Sequence, residues 1–223
     1  MSTTQCKAST LAKVQELIAR YPQLAVCEAD LTAGVEAICA SYRTGHKLIA
    51  CGNGGSASDA EHIVGELMKG FLLPRKLGAD MAAKMDVVCP ESKNYFLANL
   101  QGTLPALSLV NQVALNTAFA NDQAPDLSFA QQILGMGQAD DVLLAISTSG
   151  NSTNVIYALQ MARVKGVKTI ALTGQSGGKI ANQQLADITI RVPETETFKI
   201  QELHLPVYHM LCIAAENEFF GAE

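Results

Sequence analysis

One repeated pattern constrains the fold of this chain more than any other feature of its sequence. A short apolar run ends in a turn rich in glycine and hydroxyl residues, and a helical segment follows, with the runs at residues 47–51, 141–146 and 168–172. Two more apolar runs occur at residues 106–110 and 188–192. Repeated units of this kind form parallel strands joined by right-handed crossovers. The pattern predicts an α/β fold, a three-layer doubly wound sheet of about five parallel strands, with ligands at the carboxyl ends of the strands.

Helical segments flank this predicted sheet. Two helices precede the first strand, one at residues 10–21 and one from about Asp30, the expected N-cap, to Tyr42. They pack either on the sheet or on another subunit. A long terminal helix covers residues 198–220, and Pro206 either kinks it or marks its true first turn.

The chain of 223 residues is predicted to form a single domain, residues 1–223, in which residues 1–45 supply the leading helices. The periodicity weakens between residues 71 and 104, where one short helix at residues 79–85 is expected. Such a long insertion in a compact domain is usually a lid, an oligomer contact or a mobile loop.

Charge and cysteine content disfavour several classes of function. The 21 acidic residues outnumber the 16 basic ones and no basic block occurs, which disfavours nucleic-acid binding. No apolar run approaches the roughly 20 residues that span a membrane. Residues 1–10 do not resemble a secretion signal, so we expect a cytoplasmic protein without membrane association. The six cysteines have no CxxC or paired spacing, which indicates neither a disulfide framework nor a thiolate zinc site.

The turn after the first predicted strand is rich in glycine and is a natural site for an anion. Gly52, Gly54 and Gly55 permit a tight turn, and Ser56 or Ser58 can cap the helix that follows. Backbone N–H groups at the helix start and the helix dipole can hold a phosphate there without a cationic side chain.

The same turn fits the glycine fingerprint of dinucleotide sites only weakly. Residues 52–57 match G-x-G-x-x-A after a strand. However, the region about 20 residues further on holds Pro74 and a charge cluster instead of a strand ending in an acidic residue. No Gly-Lys-Ser or Gly-Lys-Thr follows a glycine turn, which excludes a Walker P-loop. We therefore expect no nucleotide cofactor.

The turn after residues 141–146 is rich in hydroxyl groups, which belong to Ser147, Thr148, Ser149 and Ser152. Capping of the next helix needs only Ser152, and Gly150 allows a ligand to approach closely. Four hydroxyl groups at the end of a buried strand therefore predict phosphate binding in preference to capping alone.

Four polar side chains on two helices are candidates for chemistry, although each also has a simpler explanation. His62 and Glu66 share one helical face after the glycine turn, as an exposed polar pair would. Gln201 and His209 lie within about 80° of each other on the terminal helix, where each could equally be a packed polar residue. The residues alone leave both interpretations open.

Together these motifs resemble the sugar isomerase (SIS) family, and most closely its phosphoheptose isomerase branch. The motifs are Cys-Gly-Asn-Gly-Gly-Ser at residues 51–56, the His62 and Glu66 pair, the segment 142–152, Ala-Leu-Thr-Gly at 171–174 and Ile-Gln-Glu-Leu-His at 200–204. The resemblance covers most of the chain, from about residue 47 to residue 220. It implies the flavodoxin-like SIS fold and a homotetramer with active sites at subunit interfaces.

The resemblance also implies roles for individual residues. Glu66 would be the base and His209 the acid of a phosphosugar isomerase, and the serine turn would hold the sugar phosphate. The implied substrate contacts are Asn53, Gly54, Gly55, Ser56, Gln201, and also Asn111 and Gln112, which stand where the family has a Ser-Asp contact. A zinc ion would be bound by His62, Glu66, Gln201 and His209. Aldose–ketose interconversion moves one proton between adjacent carbons and needs such a base and acid.

Two alternatives on the same fold are weaker. Proteins that resemble the initiator-associating protein of replication keep the fold and bind partners, but they lack the residues that match Glu66 and His209. Phosphosugar-sensing regulators usually carry a DNA-binding domain, for which no room is expected in this chain. The sequence therefore predicts a phosphosugar aldose–ketose isomerase of lipopolysaccharide or heptose biosynthesis, with sedoheptulose 7-phosphate as the first substrate to test.

Overall fold

The computed structural model describes residues 5–222 and contains one sheet of five parallel strands. The strands are β1 (Leu48–Cys51), β2 (Ala106–Ser108), β3 (Val142–Ser147), β4 (Lys168–Thr173) and β5 (Ile188–Arg191). Their order across the sheet is β2-β1-β3-β4-β5, and every neighbouring pair is parallel. The predicted doubly wound sheet of about five parallel strands is confirmed.

Helices cover both faces of the sheet. They are α1 (Ala8–Arg20), α2 (Glu28–Arg43), α3 (Gly55–Met68), α4 (Ala79–Val88), α5 (Lys93–Asn99), α6 (Val113–Asp122), α7 (Ser128–Met136), α8 (Thr153–Val164), α9 (Gly178–Asn182) and α10 (Thr197–Phe220). One core lies under α1, α2, α3 and α10, and the other under α7, α8 and α9. The two leading helices therefore pack within the chain. Across residues 5–222, no helix is long and apolar enough to cross a lipid bilayer.

Alternation along each strand sends successive side chains into different cores. In β1, Leu48 and Ala50 belong to the core that contains α2 and α10, whereas Ile49 and Cys51 belong to the core that contains α7 and α8. All four are at most 2% exposed. Strands that are buried on both faces have continuous apolar sequences, which explains why residues 47–51 show no alternation of apolar and polar residues.

The helix starts differ from the sequence-based expectations. Asp30 lies in the first turn of α2 instead of at its N-cap, where its carboxylate still interacts favourably with the helix dipole. Ser56 and Ser58 lie inside α3, because Gly54, with φ 57°, takes the N-cap position. Pro206 lies within a continuous α10 and does not mark its first turn.

Residues 71–104 contain more regular structure than their weak periodicity predicted. The expected short helix extends to Val88 as α4, and α5 is an additional helix. The start of this segment is tied to α10 by an ion pair between Arg75 and Glu216, whose side chains are 0% and 1% exposed.

Candidate active site

The strand order creates a crevice between the carboxyl ends of β1 and β3. The chain passes from β1 to β2 on one side and then returns to β3 on the other side of β1. Doubly wound sheets bind ligands at such switch points. The glycine turn (residues 52–55) follows β1 and the serine turn (residues 147–152) ends β3, so both predicted binding turns meet at this crevice.

A pair of asparagine side chains joins the two turns. Nδ2 of Asn53 donates to Oδ1 of Asn154 over 2.9 Å, and Nδ2 of Asn154 donates back to Oδ1 of Asn53 over 2.8 Å. Asn53 is one of the predicted substrate contacts. Asn154, in the first turn of α8, is a residue that the motifs did not single out.

Gln201 of α10 lies against the glycine turn. A Cβ atom at Gly55 would come within 2.4 Å of Nε2 of Gln201, so a larger residue at this position would displace the amide. Ser56, the next residue of α3, is only 4% exposed. Two of the predicted substrate residues, Gly55 and Gln201, are therefore in contact although they are far apart in the sequence.

The serine turn contains hydroxyl groups that do not cap α8. Ser152 occupies the N-cap position without a side-chain capping hydrogen bond, and its Oγ lies 3.1 Å from Oγ of Ser147. Gly150 has φ 64°, and a Cβ atom there would come within 2.0 Å of the carbonyl oxygen of Gly177. Capping alone does not explain this arrangement, and phosphate binding stays the prediction for the turn.

A cavity of about 250 Å³ opens beside the serine turn. It is lined by Thr148, Ser149, Asn151, Gly174, Gln175, Ser176, Glu194, Thr195, Thr197 and Ile200. Apart from Glu194, these residues are neutral. An anion in this cavity would therefore be bound by hydroxyl, amide and backbone donors instead of by cationic side chains.

His62 and Glu66 of α3 have specific partners, unlike an incidental surface pair. Nε2 of His62 lies 3.3 Å from Oε1 of Glu66, and Oε2 of Glu66 accepts a hydrogen bond of 2.9 Å from Nζ of Lys69. Nδ1 of His62 forms a hydrogen bond of 2.9 Å with the hydroxyl group of Tyr208. The imidazole is therefore fixed between α10 and the Glu66 carboxylate.

His209 lies next to this pair on α10. Its ring centroid is 5.0 Å from that of His62 and 5.3 Å from that of Phe71. Burial, followed by the charges of His62 and Arg20, lowers the pKa of His209 against the opposing effect of Glu66. The neutral imidazole is therefore favoured. A cavity of about 440 Å³ adjoins His209 between α1 and α10.

The predicted zinc ligands are only partly brought together. His62, Glu66 and His209 converge, whereas Gln201 lies two helical turns earlier on α10, beside the glycine turn. Within residues 5–222, metal-ligand spacing among His, Cys, Asp and Glu side chains occurs in another group, which consists of Cys6, Cys39 and Glu218.

Asn111 and Gln112 follow β2, the strand on the far side of β1. Asn111 is exposed, and Gln112 is half-buried at the N-cap position of α6. The structure therefore places both residues at the carboxyl edge of the sheet, and their contact with a substrate stays a prediction.

This fold and the two turns at its switch point define a protein of the SIS class. The SIS domain family matches residues 105–214, which include the serine turn and His209. Phosphoheptose isomerase GmhA from Neisseria gonorrhoeae has the same fold, with a TM-score of 0.69, 30% identity and 94% of each chain covered. A phosphoheptose isomerase from Francisella tularensis matches with a TM-score of 0.72 and 29% identity, over 89% of this chain and 91% of that one.

Relatives identified by sequence assign the chain to one family within the SIS class. It is 37% identical to the phosphoheptose isomerase of Rhodospirillum rubrum, over 88% of this chain and 90% of the relative. It is 39% identical to that of Thiobacillus denitrificans, over 85% of this chain and 84% of the relative. The chain belongs to the phosphoheptose isomerase family. The prediction of a phosphosugar isomerase, in preference to a non-catalytic adaptor, is confirmed by these relatives.

Three side chains that no sequence motif includes hold the predicted residues in place. Asn154 binds Asn53, Lys69 binds Glu66, and Tyr208 binds His62. Each lies within a few residues of a motif or of a candidate site residue. Their proximity was visible in the sequence, but nothing in their spacing indicated which partner each would bind.

Proposed function

We propose that the protein interconverts sedoheptulose 7-phosphate and an aldoheptose 7-phosphate by proton transfer between C1 and C2. Two observations carry this proposal: the Glu66 carboxylate and the His209 imidazole converge on His62, and a hydroxyl-rich turn lies at the switch-point crevice of the same chain. The choice of a heptose follows the names of the relatives, which are phosphoheptose isomerases.

Glu66 is the base in this proposal. Its carboxylate takes the proton from the carbon beside the carbonyl group and returns it to the neighbouring carbon after an enediol intermediate. One oxygen of the carboxylate accepts a hydrogen bond from Nζ of Lys69, a contact that contributes little energy because Lys69 is 59% exposed. Contact with His62 on the other carboxylate oxygen orients the group.

His209 is the acid that gives a proton to the carbonyl oxygen of the substrate and recovers one from the neighbouring hydroxyl group, so that the imidazole ends the reaction unchanged. The lowered pKa of His209 means that a neutral imidazole performs this step, with its N–H as the donor.

The serine turn holds the phosphate group. Ser147, Thr148, Ser149 and Ser152 present hydroxyl groups beside the cavity and the first turn of α8, whose N–H groups favour an anion. Asn53, Gly55, Gln201, Asn111 and Gln112 would then contact the sugar between the two turns.

The proposal includes a zinc ion bound by His62, Glu66, Gln201 and His209. Nε2 of His209 is a buried ring nitrogen with no hydrogen-bond partner within residues 5–222, as expected for an atom that binds a metal ion. Nitrogen and oxygen donors of this kind suit zinc, which would polarise the substrate carbonyl when bound. His62 is already oriented for this purpose through Tyr208.

A homotetramer with interface active sites is also part of the proposal. The cavity beside His209 is lined by Leu72 and Leu205, which are 64% and 42% exposed. Apolar side chains next to a catalytic group are typical of surfaces that another subunit covers. A cytoplasmic location is proposed because a phosphorylated sugar does not cross a lipid bilayer unaided.

Deuterium exchange tests the reaction. Purified protein is incubated in deuterated water with a panel of ketose and aldose phosphates, and NMR follows the C1 and C2 protons. We expect exchange and interconversion with sedoheptulose 7-phosphate. Glu66→Gln should abolish both, whereas Glu61→Gln, an exposed residue of the same helix, should retain them. Lack of exchange with every sugar, or full activity of Glu66→Gln, would refute the mechanism.

A further inference from the structure

A second set of metal-binding side chains lies where the segment before α1 meets α2 and the end of α10. Sγ of Cys6, Sγ of Cys39 and a carboxylate oxygen of Glu218 all lie within 4.8 Å of one another. Cys39 is fully buried, and Cys6 and the Glu218 side chain are each 7% exposed. Glu218 lies about 13 Å beyond His209 along the axis of α10, so this cluster is separate from the candidate active site.

Arg43 provides the positive charge of this cluster. Its Nη2 donates to one carboxylate oxygen of Glu218 and lies 3.4 Å from Sγ of Cys6. The backbone N–H of Lys7 donates to the other carboxylate oxygen over 3.0 Å. The cluster therefore consists of two buried thiols beside a carboxylate that is paired with Arg43.

We propose that Cys6, Cys39 and Glu218 form a binding site for a thiophilic divalent cation, best matched by zinc. Two thiolates and a carboxylate are donors that zinc accepts, and a water molecule can complete a tetrahedral set. Binding breaks two S–H bonds, forms two sulfur–metal bonds and releases both protons to solvent. The three negative charges are then balanced by the charges of the ion and of Arg43, so the buried cluster stays neutral.

The spacing of the donor atoms suits zinc after a small contraction. Zinc–sulfur bonds of about 2.3 Å and zinc–oxygen bonds of about 2.1 Å place tetrahedral ligands roughly 3.5 to 3.8 Å apart. Donor atoms that lie within 4.8 Å of one another therefore need to approach by about 1 Å. Cys6 lies in an irregular segment before α1, so it can move without disturbing a helix.

The sequence concealed this site because its ligands are widely separated along the chain. Residues 6, 39 and 218 have no motif spacing, and they meet only because α1 and α2 both pack against α10. An ion held there would join the two ends of the described chain to α2. Because the unfolded chain does not present the three ligands together, the ion would stabilise the folded state.

Cobalt(II) binding tests the site, because cobalt–thiolate bonds have an intense near-ultraviolet charge-transfer band that nitrogen and oxygen ligands do not produce. The full-length protein is reduced, stripped of metal with a chelator and titrated with cobalt and then with zinc. We expect a single equivalent of cobalt to produce the band and zinc to remove it. Zinc at a hundredfold excess over its Kd should raise the Tm by about 5 °C or more.

Matched variants assign the band to this cluster. Cys6→Ser and Cys39→Ser should each lose the cobalt–thiolate band. Cys6→Ser should disturb the folded structure less than Cys39→Ser, because Cys6 lies outside the helices. Cys89→Ser, which removes a half-buried thiol elsewhere, should keep the band. His209→Ala should also keep it, because the candidate active site contains no sulfur ligand.

The absence of the band from the reduced wild-type protein would overturn the proposal. A band that persists in both Cys6→Ser and Cys39→Ser would do the same, as would a band that His209→Ala removes. The isomerase assay is independent of this measurement. Protein that shows the thiolate band but exchanges no proton contradicts the proposed function alone, and active protein without the band contradicts this site alone.

Discussion

The substitution Glu216→Gln tests the packing that holds the end of α3, the helix that carries Glu66. Glu216 accepts hydrogen bonds from the backbone N–H groups of residues 71–73 and from Nε of Arg75, over 2.7 to 3.1 Å. Arg75 in turn donates to the carbonyl oxygens of Leu67 and Glu66. These carbonyls belong to the last turn of a helix, where intrahelical partners are missing. One buried ion pair therefore joins α3, the 71–104 segment and α10.

The expected loss of stability follows from the burial of this pair. Hydrogen bonds from Phe71, Leu72 and Arg75 outweigh burial and lower the pKa of Glu216, so its carboxylate is ionised at neutral pH. Glutamine keeps the shape but removes the charge, and its NH2 group would face N–H donors. Removal of one partner from a buried ion pair costs about 3–5 kcal/mol, because the other charge is left uncompensated. Both side chains are at most 1% exposed, so solvent screening does not reduce this value.

Urea unfolding measures the change, with Glu16→Gln as the control. Glu16 pairs with Lys13 over 2.7 Å but is 61% exposed, so its substitution should cost less than about 1 kcal/mol. The double variant Arg75→Met, Glu216→Leu should also be less stable than the wild type, because the backbone N–H groups of residues 71–73 and the carbonyl oxygens of Glu66 and Leu67 lose their partners. A loss below about 1 kcal/mol for Glu216→Gln, or a double variant as stable as the wild type, would refute this reasoning.

Three further predictions concern the candidate site and its helix. Tyr208→Phe removes the hydroxyl group bonded to His62 and should lower kcat several-fold with little change in KM, while Tyr42→Phe, whose hydroxyl binds a backbone carbonyl, should change neither. Steady-state kinetics and the imidazole NMR signals of His62 measure this, and unchanged signals would contradict it. Ser152→Ala should raise the KM for the sugar phosphate about fivefold, the effect of one hydrogen bond of about 1 kcal/mol; an unchanged KM would contradict phosphate binding by this turn. Burial lowers the pKa of His204 from 6.5 to about 4, so the unfolded chain binds more protons over this interval and stability falls as the pH drops through it. Between about pH 6.5 and pH 5, the free energy of unfolding in urea should fall by about 2 kcal/mol in the wild type, and this fall should be absent from His204→Gln.

The sheet could be predicted from the sequence because its signals are local. Each buried strand is a continuous apolar run, and the turn residues that follow it mark the change from strand to helix. Because the crossovers between parallel strands are right-handed, only a few strand orders are then possible for the sheet. The boundaries were less predictable: Ser56 and Ser58 looked like caps, but the left-handed backbone of Gly54 starts α3 before either residue.

The candidate site was predictable only in part, because its supporting contacts join distant segments. His62 and Glu66 share a local spacing, and the serine turn is a contiguous motif. Tyr208, in contrast, reaches His62 from 146 residues away, and the Arg75–Glu216 pair spans 141 residues. Such contacts depend on how the helices pack and have no signature in the spacing of residues along the chain.

The reciprocal amide pair of Asn53 and Asn154 has a consequence for the kind of ligand that the crevice admits. Each amide both donates to and accepts from the other, so a ligand that recruits Asn53 must replace one donor and one acceptor together. A sugar hydroxyl can do both, so the exchange conserves hydrogen bonds and its net cost stays within about 1 kcal/mol. An ionised phosphate or carboxylate can only accept, so the oxygen of the exposed Asn53 amide would need a donor from water. The pair therefore suits the hydroxyl-rich sugar that is proposed as the ligand of this crevice.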